Sequence, residues 1–373
     1  MNVLEVVSVL EQIAPPHLAA EWDNVGLLIG DAQGEAGKLM LCIDLTEPVL
    51  AEAVAAGAMV MAYHPVIFKP LARLTAREAP LAYAAARSGL AVYSMHTALD
   101  AAPGGTNDVL AETMGLVEPR PLEPAIADGG YKVVVFATPE DVSRVADAAF
   151  DAGAGRIGHY ERCAFFSHGI GTFLGGEGSH PAVGAPGRQE ATEELRLEIV
   201  VPHANLAAVC AAIRGAHSYQ TPAIDIYPLR DAPAGCGMGR VGRLERPVTL
   251  ETLVKRVKQA AGLRHVLLAA DRHAGDADGG GMGKLVSLAA CCAGSCGATW
   301  RSAQAAGATF YLTGEMRHHD ALAAAAAGLS CVCLGHSNSE RLALKHLAER
   351  LAVMAPKLEV LLAASDRDPF EIV

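Results

Sequence analysis

Short apolar segments alternate with alanine-rich helical segments toward both ends of this chain, and that rhythm restricts the fold more than any other feature. Near the start, KLMLCIDL, AMVMAYH and LAVYSMH are separated by the helical stretches Pro48 to Ala56 and AREAPLAYAAARSG. Toward the end, TLETLVKRVKQAAG reads as a helix and HVLLAA as a strand. Beyond them TFYLTG and LSCVCLG flank the helical EMRHHDALAAAAAG, and SERLALKHLAERLA follows. Apolar runs this short, without polar alternation, fit strands buried on both faces. Their succession with helices predicts a mostly parallel sheet covered by crossover helices. One more helix is predicted from Val3 to Ile13, where apolar residues recur at helical spacing until Pro15-Pro16 stops the run.

The middle of the chain breaks this rhythm. EPRPLEPAIADGG, from Glu118, holds three prolines and a glycine pair and reads as a linker; RDAPAGCGMG, from Arg230, reads as a second. Between them YKVVVFATP, ELRLEIVVP and AIDIYPL read as strands, with DVSRVADAAFDAG and HANLAAVCAAIRGA as helices, around a Gly-rich stretch from Gly169 to Gly187. Two β-α-β passes predict a small ferredoxin-like α/β module. The expected architecture is a discontinuous α/β core of two similar halves, residues 1–127 and 233–373, with a module of residues 128–232 inserted. Such insertions are tolerated because a domain's termini often lie close together.

Composition narrows the function classes. A net charge of −11 with no basic run argues against nucleic acid as the main partner, because phosphate contacts need clustered Lys and Arg. No apolar run is long enough to span a bilayer. MNVLEVVSVLEQIAPP carries Glu5 and Glu11 within its apolar pattern and lacks the basic start of a signal peptide, so a cytoplasmic protein is expected. The nine cysteines form no CxxC pair, which argues against a zinc ribbon or a disulfide framework. Cys291, Cys292 and Cys296 in a small-residue segment, like Cys331 and Cys333 in a strand, read as buried thiols. DADGGGMGK is Gly-rich, but Leu285 follows Lys284 where a phosphate loop needs Ser or Thr, so a loop or close-packing role fits better.

In parallel sheets, functional groups collect at the carboxyl ends of the strands. Here AMVMAY ends in His64-Pro65, and LAVYSM ends in His96, with Asp100 four residues on. TFYLTG ends in Glu315, and LSCVCLG in His336, with Glu340 four residues further. Every exit delivers an imidazole or a carboxylate. His336 and Glu340 open a helix at a spacing that puts both on one face, where they can meet one cation. His64 and Asp100, from neighbouring strands, can complete a nitrogen and oxygen shell suited to zinc, iron, manganese or nickel. Each residue alone has a plainer reading. The histidines can be hydrogen-bonded strand ends, Asp100 can stabilise a turn, and Glu340 can be a first-turn helix acid. His318 and His319 are adjacent on a helix, about 100° apart, so at most one faces the strand ends.

EWDNVGLLIG, YHPVIFKPL, HTALDAAPGGTND, TGEMRHHDA, GHSNSE and SDRDPF, in this order, resemble the successive signatures of the Nif-three-like dinuclear metal-centre proteins, often called GTP cyclohydrolase type 2-like. YERCAFFSHGIGTF, ELRLEIVV and HSYQTPAIDIYPL resemble the PII-like module that longer members carry. The resemblance implies a toroidal homohexamer with one or two divalent ions per subunit facing an internal cavity. It places the ligands on His64, Asp100, His336 and Glu340, with Asp100 bridging two ions, and His96 and Glu315 beside the site. Many members carry His-His-Pro where this chain has Tyr63-His64-Pro65. A phenol, with a pKa of about 10, is a poorer ligand than imidazole. The second ion is therefore weakly held, dependent on another group, or absent. Family members also carry acidic residues where this chain reads HSYQTP, so effector properties do not transfer.

Two functions follow as expectations. The first is a hydrolase of a nucleotide or similar small molecule, using metal-activated water with Glu315 or His96 as general base. The alternative is a non-enzymatic, metal-binding regulatory hexamer whose insert senses a ligand or partner. In a third, the metal only stabilises the assembly.

Overall fold

The computed structural model describes residues 1–125, 127–231, 235–270, 281–295 and 297–372. Contacts divide the chain into two compact units, one of Met1–Ala125 with Pro233–Val373, the other of Ile126–Ala232.

The larger unit opens with α1 (Val3–Ile13), whose Asn2 cap accepts from the Glu5 amide while the Glu5 carboxylate reaches back to the Asn2 amide. Val3, Val6, Val7, Leu10 and Ile13 form its buried stripe. Strand β1 (Gly26–Ile29) follows, then β2 (Lys38–Cys42), α2 (Glu47–Ala56), β3 (Met59–Ala62), α3 (Pro80–Arg87) and β4 (Val92–Ser94). Helices α4 (His96–Ala101) and α5 (Thr106–Met114) leave the sheet at its carboxyl edge. β2, β3 and β4 run parallel, in the sheet order β1-β4-β3-β2-β15, where β15 is Glu359–Leu362. Helix α1 covers one face of this sheet, while α2 and α3 cover the other.

The stretch read as a first linker is instead strand β5 (Leu116–Pro124), antiparallel to a later strand and at the edge of a second sheet. Proline is tolerated there because an edge strand has one side on which no amide is needed. The smaller unit carries β6 (Ala127–Ala137), α6 (Val142–Asp151), β7 (Ala164–Leu174), β8 (Gln189–Val201), α7 (Leu206–Ala216) and β9 (Ile224–Asp231). Its strand order β7-β8-β6-β9, antiparallel throughout, is that of a ferredoxin-like βαββαβ module. The first part of the Gly-rich stretch is not loop. It belongs to β7, which pairs with β8 from Ala164 to Leu174.

The larger unit resumes with β10 (Gly237–Thr249), α8 (Leu250–Ala261), β11 (Leu267–Ala269), β12 (Leu285–Ser295), α9 (Thr299–Ala305), β13 (Phe310–Glu315), α10 (His318–Ala326), β14 (Ser330–Cys333) and α11 (His336–Met354). The second linker reading is thus corrected from Gly237 onward, where the chain already pairs with β5; residues 232–234 lie outside the described residues. β12, β13 and β14 are parallel, in the sheet order β11-β14-β13-β12-β10-β5. This repeats the parallel triplet of the first half. Helices α5 and α8 cover one face, and α9 and α10 the other. Helix α11 packs on strands of both sheets and contributes Leu344, Leu347 and Leu351 to the core around α1. Arg240 of β10 is almost wholly buried and grips Asp108 of α5 through two nitrogens, while also donating to the carbonyls of Gly237 and Gly239. It anchors the segment that follows Asp100.

Cys42, Cys210 and Cys291 are buried thiols, and Cys296 lies outside the described residues. Of DADGGGMGK, residues 276–280 also lie outside them, and Gly281–Gly283 form one 3₁₀ turn before β12. Among the described residues no helix is long and apolar enough to cross a membrane.

Candidate metal centre

The carboxyl ends of the two parallel triplets face one another inside the larger unit, and the strand-exit residues meet there. The parallel ladder continues past β3, with the Tyr63 amide donating to the Cys42 carbonyl and the His64 amide to the Ile43 carbonyl. His64 is thereby fixed at the sheet edge. In the second half, Leu334 and Gly335 donate to the carbonyls of Thr313 and Gly314, which fixes the start of α11 and His336.

His64, His336 and Glu340 each present a donor atom, and the three lie within 4.8 Å of one another. Glu340, only 3% exposed, stands between the imidazoles: Oε1 is 3.3 Å from His336 Nε2, and Oε2 is 3.3 Å from His64 Nε2. The second contact is not aligned for hydrogen bonding, so a buried carboxylate oxygen is left without a hydrogen-bond partner. Such an orphan is costly unless a cation completes it.

Two further carboxylates orient the imidazoles. Asp44 Oδ1 accepts from His64 Nδ1 at 2.9 Å, and Glu315 Oε1 from His336 Nδ1 at 3.0 Å. Each ring is thus held with Nε2 turned to Glu340, the carboxylate–histidine pairing that tunes imidazole ligands. Glycine at two positions makes room. Gly294 sits at φ +63°, and a Cβ there would lie 2.6 Å from Glu340 Oε1. A Cβ on Gly314 would lie 3.0 Å from the His336 Cα and 2.7 Å from Ser339 Oγ. Ser339 also pins the site, accepting from the Gly294 amide and donating to the His336 carbonyl.

Charge is balanced within this cluster. Burial alone would lower the His64 pKa, yet contact with Asp44 and Glu340 pushes it up to about 10. Contact with Glu340 outweighs burial and raises His336 to about 9, with Glu315 adding to it. For Glu340, burial works to raise the pKa, but the two imidazoles hold it below its ordinary value. Two protons therefore occupy the pocket's nitrogens at neutral pH, where a divalent cation would replace them. Two nitrogens, a buried oxygen without an aligned hydrogen bond and the room left by Gly294 and Gly314 fit such an ion.

Asp100 is not one of the three converging groups. Its carboxylate is 6% exposed and accepts a hydrogen bond from the Tyr63 hydroxyl, which also lies 3.1 Å from Thr106 Oγ1. Burial, then the negative charge of Glu340, pushes its pKa up to about 6. Burial and the Asp100 charge raise Tyr63 well above its ordinary value. Asn107 ties this wall to the second half, donating to the Asp100 carbonyl and accepting from the Ala293 amide.

His96 opens α4 with φ +29°, an unusual conformation for a residue with a Cβ. Asp23 Oδ1 accepts from its Nδ1 at 2.8 Å, and the other Asp23 oxygen accepts from the Thr97 amide and hydroxyl. The His96 ring centroid lies 5.3 Å from that of His64. Glu315 is engaged with His336, so it serves the site by positioning that imidazole. His318 and His319 are both exposed on α10.

Asp44 and Asp23, the carboxylates that hold His64 and His96, do not stand among the candidate residues read from the sequence. Asp44 directly follows the KLMLCI run, so the strand-exit rule that selected His64 would have selected it. Asp23 lies within the signature EWDNVGLLIG, but no local spacing pairs it with His96, 73 residues away.

The profile of the Duf34/NIF3 family (NGG1p interacting factor 3) matches residues 1–369. The chain belongs to the Duf34/NIF3 family. Among its relatives is a Halalkalibacterium halodurans protein named GTP cyclohydrolase 1 type 2 homolog, 32% identical over 379 residues that span 100% of this chain and 99% of the relative. A Mycobacterium tuberculosis protein of the same name is 35% identical over 324 residues, 86% of this chain and 83% of its own. The crystal structure of a Bacillus cereus protein related to NIF3 matches with a TM-score of 0.70 at 33% identity, covering 100% of this chain and 99% of that one.

Proposed function

We propose that the chain is a metal-dependent hydrolase of the GTP cyclohydrolase type 2-like group, acting on a nucleotide or a similar small molecule. The observation that carries this reading is Glu340, buried between two outwardly braced imidazoles with one oxygen lacking an aligned hydrogen bond. His64, His336 and Glu340 would hold the ion, and the mixed donor set suits zinc, iron, manganese or nickel. Bound there, it would supply Lewis acidity and bring the pKa of water toward neutrality. Asp44 and Glu315 keep both Nδ1 protons in place, so that Nε2 is the coordinating nitrogen. Asp100, whose Oδ1 accepts from the Tyr63 hydroxyl, would supply a further oxygen donor through its other oxygen. His96, braced at Nδ1 by Asp23, is the group best placed to take a proton at Nε2. Glu315, already paired with His336, is the weaker candidate for that step. The same reading includes a toroidal homohexamer as the working assembly and the cytoplasm as its compartment.

The test is turnover of a nucleotide panel by purified protein, metal-stripped and then reloaded, beside His64→Ala and His96→Ala. Activity should return with metal and vanish in His64→Ala together with bound metal. His96→Ala should keep its metal and lose about 10²–10⁴-fold in rate. Turnover that survives stripping refutes the proposal.

A second reading has its own observation. The smaller unit holds a cavity of about 360 Å³ lined by Phe136, Phe173, Glu194 and Tyr219 among others. A regulatory protein whose PII-like insert senses a small ligand would use it. Ligand binding at the insert, with no turnover by metal-loaded protein, would favour that reading.

A further inference from the structure

Beside the metal centre, two large aromatic side chains face solvent. Trp22 is 62% exposed and Phe68 46% exposed, although folding normally hides rings of this size in part or whole. Their centroids lie 5.8 Å apart, and they stand 5.9 Å and 6.5 Å from the ring of His96. The next ring inward is His64, 5.3 Å from His96. The two aromatics come from separate segments, the approach to β1 and the loop after β3. Both are anchored at their neighbours: Asp23 clamps His96 and Thr97, and the Asn24 side chain donates to the Ile67 carbonyl. The two segments that carry the rings are therefore tied together beside His96.

We propose that Trp22 and Phe68 form the stacking platform for a planar heteroaromatic ring, and that this ring carries the reacting edge of the substrate. The inference rests on the metal-centre reading above and narrows its substrate class. Trp22 and Phe68 are inclined at 46° to one another, so a flat ring stacked on one meets the edge of the other and turns its own edge toward His96, the proton-accepting group, with the donors of the metal centre beyond it. The reacting bond then lies in the ring or on a substituent attached directly to it. A ligand without such a ring, a sugar phosphate for example, leaves both aromatics in water and gains nothing from them. Stacking on an aromatic side chain tolerates many ring types because every heterocycle presents a π-face. Selection among heterocycles falls to the polar groups at the inner edge.

The chain contains two tryptophans, and the other, Trp300, is 3% exposed. Acrylamide quenching of the full-length protein therefore reports Trp22. Guanosine, adenosine and a pteridine serve as ring probes, with ribose 5-phosphate as the ringless control and bound metal measured in every sample. At least one ring compound should quench saturably and shield Trp22 from acrylamide, and ribose 5-phosphate should do neither. Phe68→Ala by fluorescence, and Trp22→Ala by calorimetry, should bind that compound about 10–100-fold more weakly, with metal content unchanged. Trp22→Phe should recover most of the affinity. The inference is overturned if no ring compound binds metal-containing protein, or if both alanine variants bind as well as the parent. It is equally overturned if Trp22 is already shielded from acrylamide without ligand, because a second copy then covers the platform. Protein that holds no metal, yet still binds the ring through Trp22, would instead defeat the metal-centre reading and leave the platform standing.

Discussion

The proton inventory of the cluster makes a quantitative forecast for metal affinity. His64 and His336 titrate at about 10 and about 9 without metal, while Glu340 is held below its ordinary value. Near pH 7 an entering ion must therefore expel two protons, one from each Nε2. Two displaced protons mean that the apparent association constant rises about 100-fold per pH unit. The rise should continue to about pH 9, where His336 loses its proton, and flatten above about pH 10. Unperturbed histidines near 6.5 would level off about three units earlier. Competition with a chelator between pH 6 and 10 measures the slope. Calorimetry at about pH 7.5, in two buffers of different ionisation enthalpy, counts the released protons. The same groups set the stability of the metal-free protein. Their folded values lie above the unfolded value, so their contribution is complete below about pH 6.5 and is lost as pH rises through about 9 to 10. Stripped protein should melt at a lower temperature at pH 10 than at pH 7, and metal should remove most of that difference. An affinity that plateaus near pH 7, or fewer than one proton released, refutes the scheme of two imidazoliums sharing one carboxylate.

Two substitutions probe the geometry directly. Asp44→Asn keeps the shape beside His64 Nδ1 but removes the charge; metal affinity should fall about 10–100-fold, and the stripped protein should melt at a lower temperature near pH 7, because His64 loses part of what raises its pKa. An unaltered dissociation constant would show that Asp44 does not brace the ligand. Gly294→Ala puts a Cβ 2.6 Å from Glu340 Oε1 at φ +63°. It should displace the carboxylate, abolish stoichiometric binding and cost about 1–3 kcal/mol in denaturant unfolding; full metal occupancy would contradict the crowding.

The parts of this chain that could be read directly are those governed by neighbours along the chain. Helix α1 follows from apolar spacing between an Asn2 cap and Pro15-Pro16, and β2, β3, β13 and β14 follow from short apolar runs between helical segments. Because parallel strands gather polar residues at the carboxyl edge, the sequence alone points to His64, His336 and Glu340, which converge in the candidate metal centre. Segments whose state depends on distant partners were not. Pro119, Pro121 and Pro124 suggest a linker until Leu116–Pro124 is seen as an edge strand against β10, where missing amides cost little. β10 itself, rich in glycine and arginine, is a strand because it pairs with β5 and β12, remote in sequence, and Arg240 finds Asp108 across 132 residues. The LVSLAACCAGS run of β12 has side chains too small to declare a strand, and it becomes one between β10 and β13. The same division runs through the site. Spacing could offer the imidazoles, but their bracing by Asp44 and Glu315, the diversion of Asp100 to Tyr63 and the gap at Gly294 depend on approaches of a few ångströms between remote segments. Local propensity carries no record of such approaches; close packing creates them.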